Sequence, residues 1–285
     1  MPSRSVSSRI VNRPIPEDMS DAADTVSARP AAPSASAGGS WASRLGLEPV
    51  RLLKLLAGVL LLPVCAGMAI AFHRCFWGPG MQLRVAVAGW PELFKWFMTG
   101  AGIFAAVGIL LWRPVIVYAF SHEMVHALAT WLCLGQVTNF RAATTGGQVT
   151  VSKSNTFIRL TPYMVPFYAL CVAAVFVGFD VAGRPLNHPE LLAGLLGATV
   201  AFHVGFTLHS LHFGQSDLKQ DGWLFSLTLI FLANVLVLAA LMGLALSGKA
   251  SGAWDALRLV GEEGWREGLG LFGDLTQLLR RAFAR

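Results

Sequence analysis

The sequence predicts an all-α polytopic membrane protein with about six transmembrane helices and a short membrane-associated β-hairpin or loop after the third. Three observations carry that expectation. Of 285 residues, 54% are hydrophobic and only 13% are charged. Soluble domains carry roughly 25% charged residues. Apolar runs near twenty residues long recur along the chain, and each is long enough to cross a bilayer. In water those runs would leave a large exposed apolar surface, so the lipid bilayer is the expected surrounding.

Residues 1–48 are rich in Ser, Ala, Pro and Arg and are expected to form a disordered N-terminal tail. The first apolar run begins only near Leu52, a position that fits a retained signal anchor. A transmembrane domain is expected over 49–248, built on apolar segments at roughly 52–72, 93–112, 114–134, 157–181, 191–211 and 223–246. The second and third are separated only by Arg113-Pro114. Together they would make ~60 Å of helix, twice the hydrocarbon thickness, so a tight reversal is expected there. Residues 249–285 form an amphipathic C-terminal tail, with apolar positions at Trp265, Leu269, Phe272, Leu275, Leu279 and Phe283. That spacing suits a helix lying on the membrane surface or one packed on the core.

Net charge is +6, with the basic residues scattered between apolar segments and at both ends. This pattern orients helices, with both termini expected in the cytoplasm. It does not resemble a nucleic-acid face, and no nucleic-acid partner is expected. Cys65, Cys75, Cys133 and Cys171 form no C-x-x-C pair, so neither a disulfide framework nor a thiolate zinc site is suggested.

The third apolar segment contains His122-Glu123-Met124-Val125-His126. On a helix, residues four apart project from one face, so both imidazoles can reach one metal ion, for which zinc is expected. Glu123, beside the first ligand, can act as general base towards a metal-activated water. Burying a Glu and two His in an apolar helix costs several kcal/mol, so they need a purpose. Their flanks Ala119, Ala129, Thr130 and Cys133 are small and allow close helix packing. A zinc hydrolase site takes three protein ligands and keeps one open position. The remaining ligand is sought in Asp217, Asp221, His203, His209 or His212.

Beyond the motif, Gly146-Gly147-Gln148-Val149 leads into alternating Val149, Thr150, Val151 and Ser152, as a short strand should. An exposed strand edge at 147–151 could hold an unwound substrate by β-addition, so Gly146, Gly147 and Val149 are candidate substrate-binding residues. Asn234 reads as a helix–helix contact or as a hydrogen-bonding group towards substrate.

The intramembrane His-Glu-x-x-His resembles the site-2 protease family of intramembrane zinc metalloproteases, in its compact bacterial form without a PDZ domain. Gly146 to Val149 resembles that family's glycine-glycine-x-valine element, and residues 161–168 its proline-rich following helix. Ser216-Asp217-Leu218, with Gly222, Ser226 and Asn234 beyond it, is similar to the C-terminal part. The resemblance implies peptide hydrolysis in or near a transmembrane segment of a membrane-anchored protein substrate, in a bacterial inner (cell) membrane. It implies Glu123 as base and His122, His126 and Asp217 as zinc ligands. Better-known members place the aspartate directly before glycine, which favours Asp221 instead.

Two rivals come from other classes. Membrane di-iron oxygenases use eight or more clustered histidines, whereas this chain has 7, mostly isolated. A transporter would favour internal repeats, and none is visible. A catalytically inactive pseudoprotease, or a metal-binding membrane protein that holds transmembrane partners without cutting, stays open as the alternative.

Overall fold

The computed structural model describes residues 9–12, 49–78, 90–110, 114–144, 146–212 and 216–283. Of the tail at 1–48 only the strand β1 (Arg9–Asn12) falls among them. The expected disorder of the rest, and the reversal at Arg113, lie outside the described residues.

The chain continues through α1 (Pro49–Phe76), α2 (Trp90–Leu110), α3 (Val115–Leu132), β2 (Val137–Ala143) and β3 (Gly146–Val151). It then forms α4 (Thr156–Met164), α5 (Phe167–Val181), α6 (Pro189–His212), α7 (Ser216–Asp221), α8 (Trp223–Ser247) and α9 (Ala250–Phe283). By length and composition, α1, α6 and α8 are able to cross a membrane. A fourth span arises if α4 and α5, bent by 71° at their junction, count as one. The bend has a covalent cause. Pro166 lacks an N–H and disfavours helical geometry at Val165, so the helix breaks between them. The expected helix at 157–181 is therefore two elements. α3 has 18 residues and carries His122, Glu123 and His126 in its middle.

Three apolar clusters place these elements. The largest joins α1, α2, α5, α6, α8 and α9 through residues such as Phe76, Phe97, Ala169, Leu196, Leu246 and Val260. A second, of Leu160, Tyr163, Leu218 and Ile230, fastens α7 to α4 and α8. A third, of Ala127, Val149 and Val151, fastens β3 to α3.

α9 is packed against α1 and α8, the second of the two dispositions open from sequence. Its buried residues Gly252, Ala256, Val260, Gly264 and Gly268 recur every four positions and form one small-residue stripe. A Cβ on Gly67 of α1 would lie 2.3 Å from the Gly264 carbonyl oxygen, so only glycine permits this approach. Trp265, Leu269 and Phe272 point outward and are exposed.

The sheet has the order β1-β3-β2. β2 and β3 form the antiparallel hairpin expected after α3, with an irregularity near Val137 and Asn139. β3 is not an edge strand, in contrast to the sequence-based expectation. β1 pairs with it in parallel, Ile10 opposite Val149 and Val11 opposite Thr150. More than a hundred residues separate the two strands, and no local periodicity encodes such a pairing.

Candidate metal centre

α3 turns its polar face inward. His122 is 4% exposed, Glu123 1% and His126 0%. Four-residue spacing brings the two imidazoles together, with ring centroids 4.9 Å apart and planes at 83°. Tyr118, one turn before His122, and Thr130, one turn after His126, are buried on the same face.

Each ring is oriented through its Nδ1. His126 Nδ1 lies 2.8 Å from the Ile158 carbonyl oxygen. A carbonyl only accepts, so Nδ1 carries the proton and Nε2 is the lone-pair nitrogen. His122 Nδ1 lies 3.1 Å from the Tyr118 hydroxyl, which also hydrogen-bonds Ser210 Oγ on α6. If Tyr118 donates to Ser210 and accepts from His122 Nδ1–H, all three groups are satisfied and His122 Nε2 keeps its lone pair. That Nε2 is buried and has no hydrogen-bond partner among the described residues. Ligating histidines are commonly held this way, by a carbonyl or other acceptor on the far nitrogen. Two imidazoles so arranged fit a zinc ion, which is bound by nitrogen and leaves a position open for water.

β3 crosses directly over Glu123. Strand residues two apart share a face, so Gly147, Val149 and Val151 all look towards α3. Val149 and Val151 bury against Ala127. Gly147 meets the carboxylate itself: a Cβ there would lie 2.4 Å from Glu123 Cγ and 2.6 Å from Oε1. Gly146 opens the strand with φ of 135°, a conformation that glycine tolerates. The two glycines thus have different reasons, a turn and a close approach. Val149 contributes its side chain to the support of the hairpin, and only its backbone lies on the strand's hydrogen-bonding edges.

The candidates for a further ligand separate in the structure. Asp221 is 0% exposed and fully engaged. It accepts from Arg159 Nε at 2.8 Å and Nη2 at 2.7 Å, from Thr156 Oγ1 at 2.7 Å, and from Lys54 Nζ. Burial pushes its pKa up, but Arg159, Lys54 and Thr156 outweigh that and bring it down to about 2. Two cations already neutralise this carboxylate, which argues against the aspartate-before-glycine assignment. His203 Nε2 donates to Asn234 Oδ1 at 3.0 Å, and Asn234 Nδ2 donates to the carbonyls of Tyr163 at 2.7 Å and Ile230 at 2.8 Å. Asn234 is therefore a helix-to-helix tie that orients His203. His203 and His122 also line one small cavity with Tyr118, Ser121 and Tyr168. Asp217 lies in α7, whose Leu218 is fastened to Tyr163 of α4. The Asp217 side chain lies outside the described residues. Among those residues, no group of three His, Cys, Asp or Glu converges as a metal site.

The structure thus brings together His122, Glu123, His126 and Gly147. Sequence reasoning missed Tyr118, Ser210 and the Ile158 carbonyl as the groups that orient the imidazoles. Tyr118 was within reach of it, four residues before His122 on the same helical face. Compared with known protein families, curated proteins and solved structures, the chain matches none.

Proposed function

We propose that this chain is an intramembrane zinc metalloprotease of the site-2 type, hydrolysing a peptide bond in or near a transmembrane segment of a membrane-anchored protein. The observation that supports this most is the juxtaposition of a buried Glu123, flanked by two oriented imidazoles, with the backbone of a β-strand at Gly147. A metal-binding carboxylate helix without hydrolytic purpose has no need of a strand pressed against the carboxylate.

Zinc would be held by His122 and His126, with Asp217 as the proposed third ligand. When bound, zinc polarises the scissile carbonyl and lowers the pKa of water towards neutrality. The chain's own residues do the rest. Glu123 takes one proton from the attacking water as its oxygen adds to the carbonyl carbon, then delivers that proton to the amide nitrogen, after which the C–N bond breaks and the amine leaves. Tyr118, Ser210 and the Ile158 carbonyl fix the two rings in place. β3 offers backbone N–H and C=O groups to a substrate unwound into a strand, since a helical peptide bond is hidden by its own hydrogen bonds. The surrounding apolar clusters limit water to the site.

In this reading the apolar helices cross a bacterial inner membrane, and the N-terminal tail, the β2–β3 hairpin and α7 share one side of it, because β1 pairs with β3 and Lys54 with Asp221. One of α1, α2 and α3 therefore does not cross completely. The test is a comparison of membrane proteomes from cells carrying the wild type or Glu123→Gln. Fragments ending inside a transmembrane helix, present only with the wild type, are expected. Identical fragment patterns, with both proteins expressed and folded, would overturn the proposal.

A further inference from the structure

β3 has two edges. β2 covers one through the hairpin, and β1 covers the other. A hairpin partner is a consequence of local sequence, but β1 is not. It reaches β3 from residues 9–12, ahead of the first membrane-spanning helix, and pairs in parallel from Arg9 opposite Gln148 to Asn12 opposite Val151. The pairing starts one residue beyond Gly147, the position pressed on Glu123. β1 also lies against α7, the helix that contains Asp217. Four residues of tail therefore touch both elements between which a substrate strand would have to pass.

The tail sequence explains why this stretch is the one that pairs. Ile10-Val11 is the only adjacent pair of apolar β-branched residues within residues 1–48, and such residues favour strands. Pro14 and Pro16 follow closely in the sequence, and proline has no N–H to give to a ladder. A described strand of 4 residues with prolines close behind it in the sequence is suited to pairing that can be undone.

We infer that residues 9–12 are an internal occupant of the substrate edge of β3, which an incoming peptide strand must displace. This rests on the reading of β3 as the strand that receives substrate. A strand tethered to the edge it covers acts at a high effective concentration, so an untethered peptide binds the same edge more weakly while the tail is docked. The tail thereby holds the site closed to chance extended segments and open to those presented well enough to compete.

The test uses the full chain in the Glu123→Gln background, so that nothing is cut. A second variant adds Ile10→Pro and Val11→Pro. Alternate residues of a strand turn their N–H groups to opposite sides, so one of the two prolines removes a donor facing β3 whatever the alignment. The probe is a fluorescent synthetic peptide of the chain's own residues 5–16. It should bind the proline variant at least about tenfold more tightly than the parent. Backbone amide exchange at Gln148 to Val151 should rise in the proline variant while α3 keeps its protection. Equal peptide affinity for the two chains, or unchanged exchange in β3, would overturn the inference. Cleavage of a membrane-helix reporter is measured separately on the chain with Glu123 intact. Absence of cleavage alongside a tenfold binding difference would remove the proteolytic reading and leave β3 as a tail-covered peptide site.

Discussion

Glu123 and Asp221 are both buried carboxylates, and their surroundings differ. Asp221 is held by Lys54, Thr156 and Arg159, so it ties α1, α4 and α7 together as an anion. Asp221→Asn leaves two cations without their partner, which typically costs about 3 kcal/mol or more. Its folded pKa of about 2 lies below the ordinary 3.8. The stabilisation is therefore complete above about pH 4 and is lost as pH falls towards 2. Denaturant unfolding should show that acid limb in the wild type and a flatter one in Asp221→Asn, while zinc content of the folded fraction stays unchanged. Asp217→Ala should do the reverse, lowering zinc stoichiometry with little loss of stability. Metal analysis with the opposite ranking would return the ligand role to Asp221. At this scale the motif was fully legible, because helical spacing alone puts His122 and His126 side by side. The engagement of Asp221 was not, because Lys54 and Arg159 lie far from it in sequence.

At the scale of elements, the contact between β3 and α3 decides whether Glu123 keeps its position. Gly147→Ala places a methyl group within 2.4 Å of Glu123 Cγ, and that carbon has a strand on one side and its own helix on the other. The carboxylate must shift. Turnover is expected to fall about 100-fold or more, the scale of a displaced general base, with zinc retained because neither imbedded imidazole is touched. Gly102→Ala on α2, where a Cβ meets nothing within 4 Å, serves as the control and should leave turnover unchanged. A Gly147→Ala chain with wild-type turnover would show that the strand does not govern the base. The hairpin was legible, since Val149 and Val151 alternate with polar residues after a glycine turn. The parallel β1 was not, because its partner lies across the whole intervening membrane segment. Nor was the 71° bend between α4 and α5 read in advance, although Pro166 marks it.

For the molecule as a whole, the long apolar helices follow from hydrophobic run length, which is why α1, α6 and α8 match the segments read from sequence. The docking of α9 does not follow from its amphipathic pattern. A stripe of glycine and alanine decides it, and apolar counting passes over such residues. Gly67→Leu would force α1 and α9 apart. Thermal stability in detergent should drop and a protease should gain access to α9, whereas zinc content should hold, because no metal-site residue lies on either helix.

The central claim is that Glu123 is the general base for peptide hydrolysis between two zinc-ligating histidines. The direct test is cleavage of a membrane-helix reporter by wild type and Glu123→Gln, reconstituted in liposomes at matched zinc content. Glutamine keeps the size of the side chain but cannot take the proton. The account predicts equal zinc in the two proteins and a rate about 100- to 10,000-fold lower in the variant. Wild-type cleavage by Glu123→Gln with its zinc intact, or no cleavage by either protein while both bind the reporter, would contradict it.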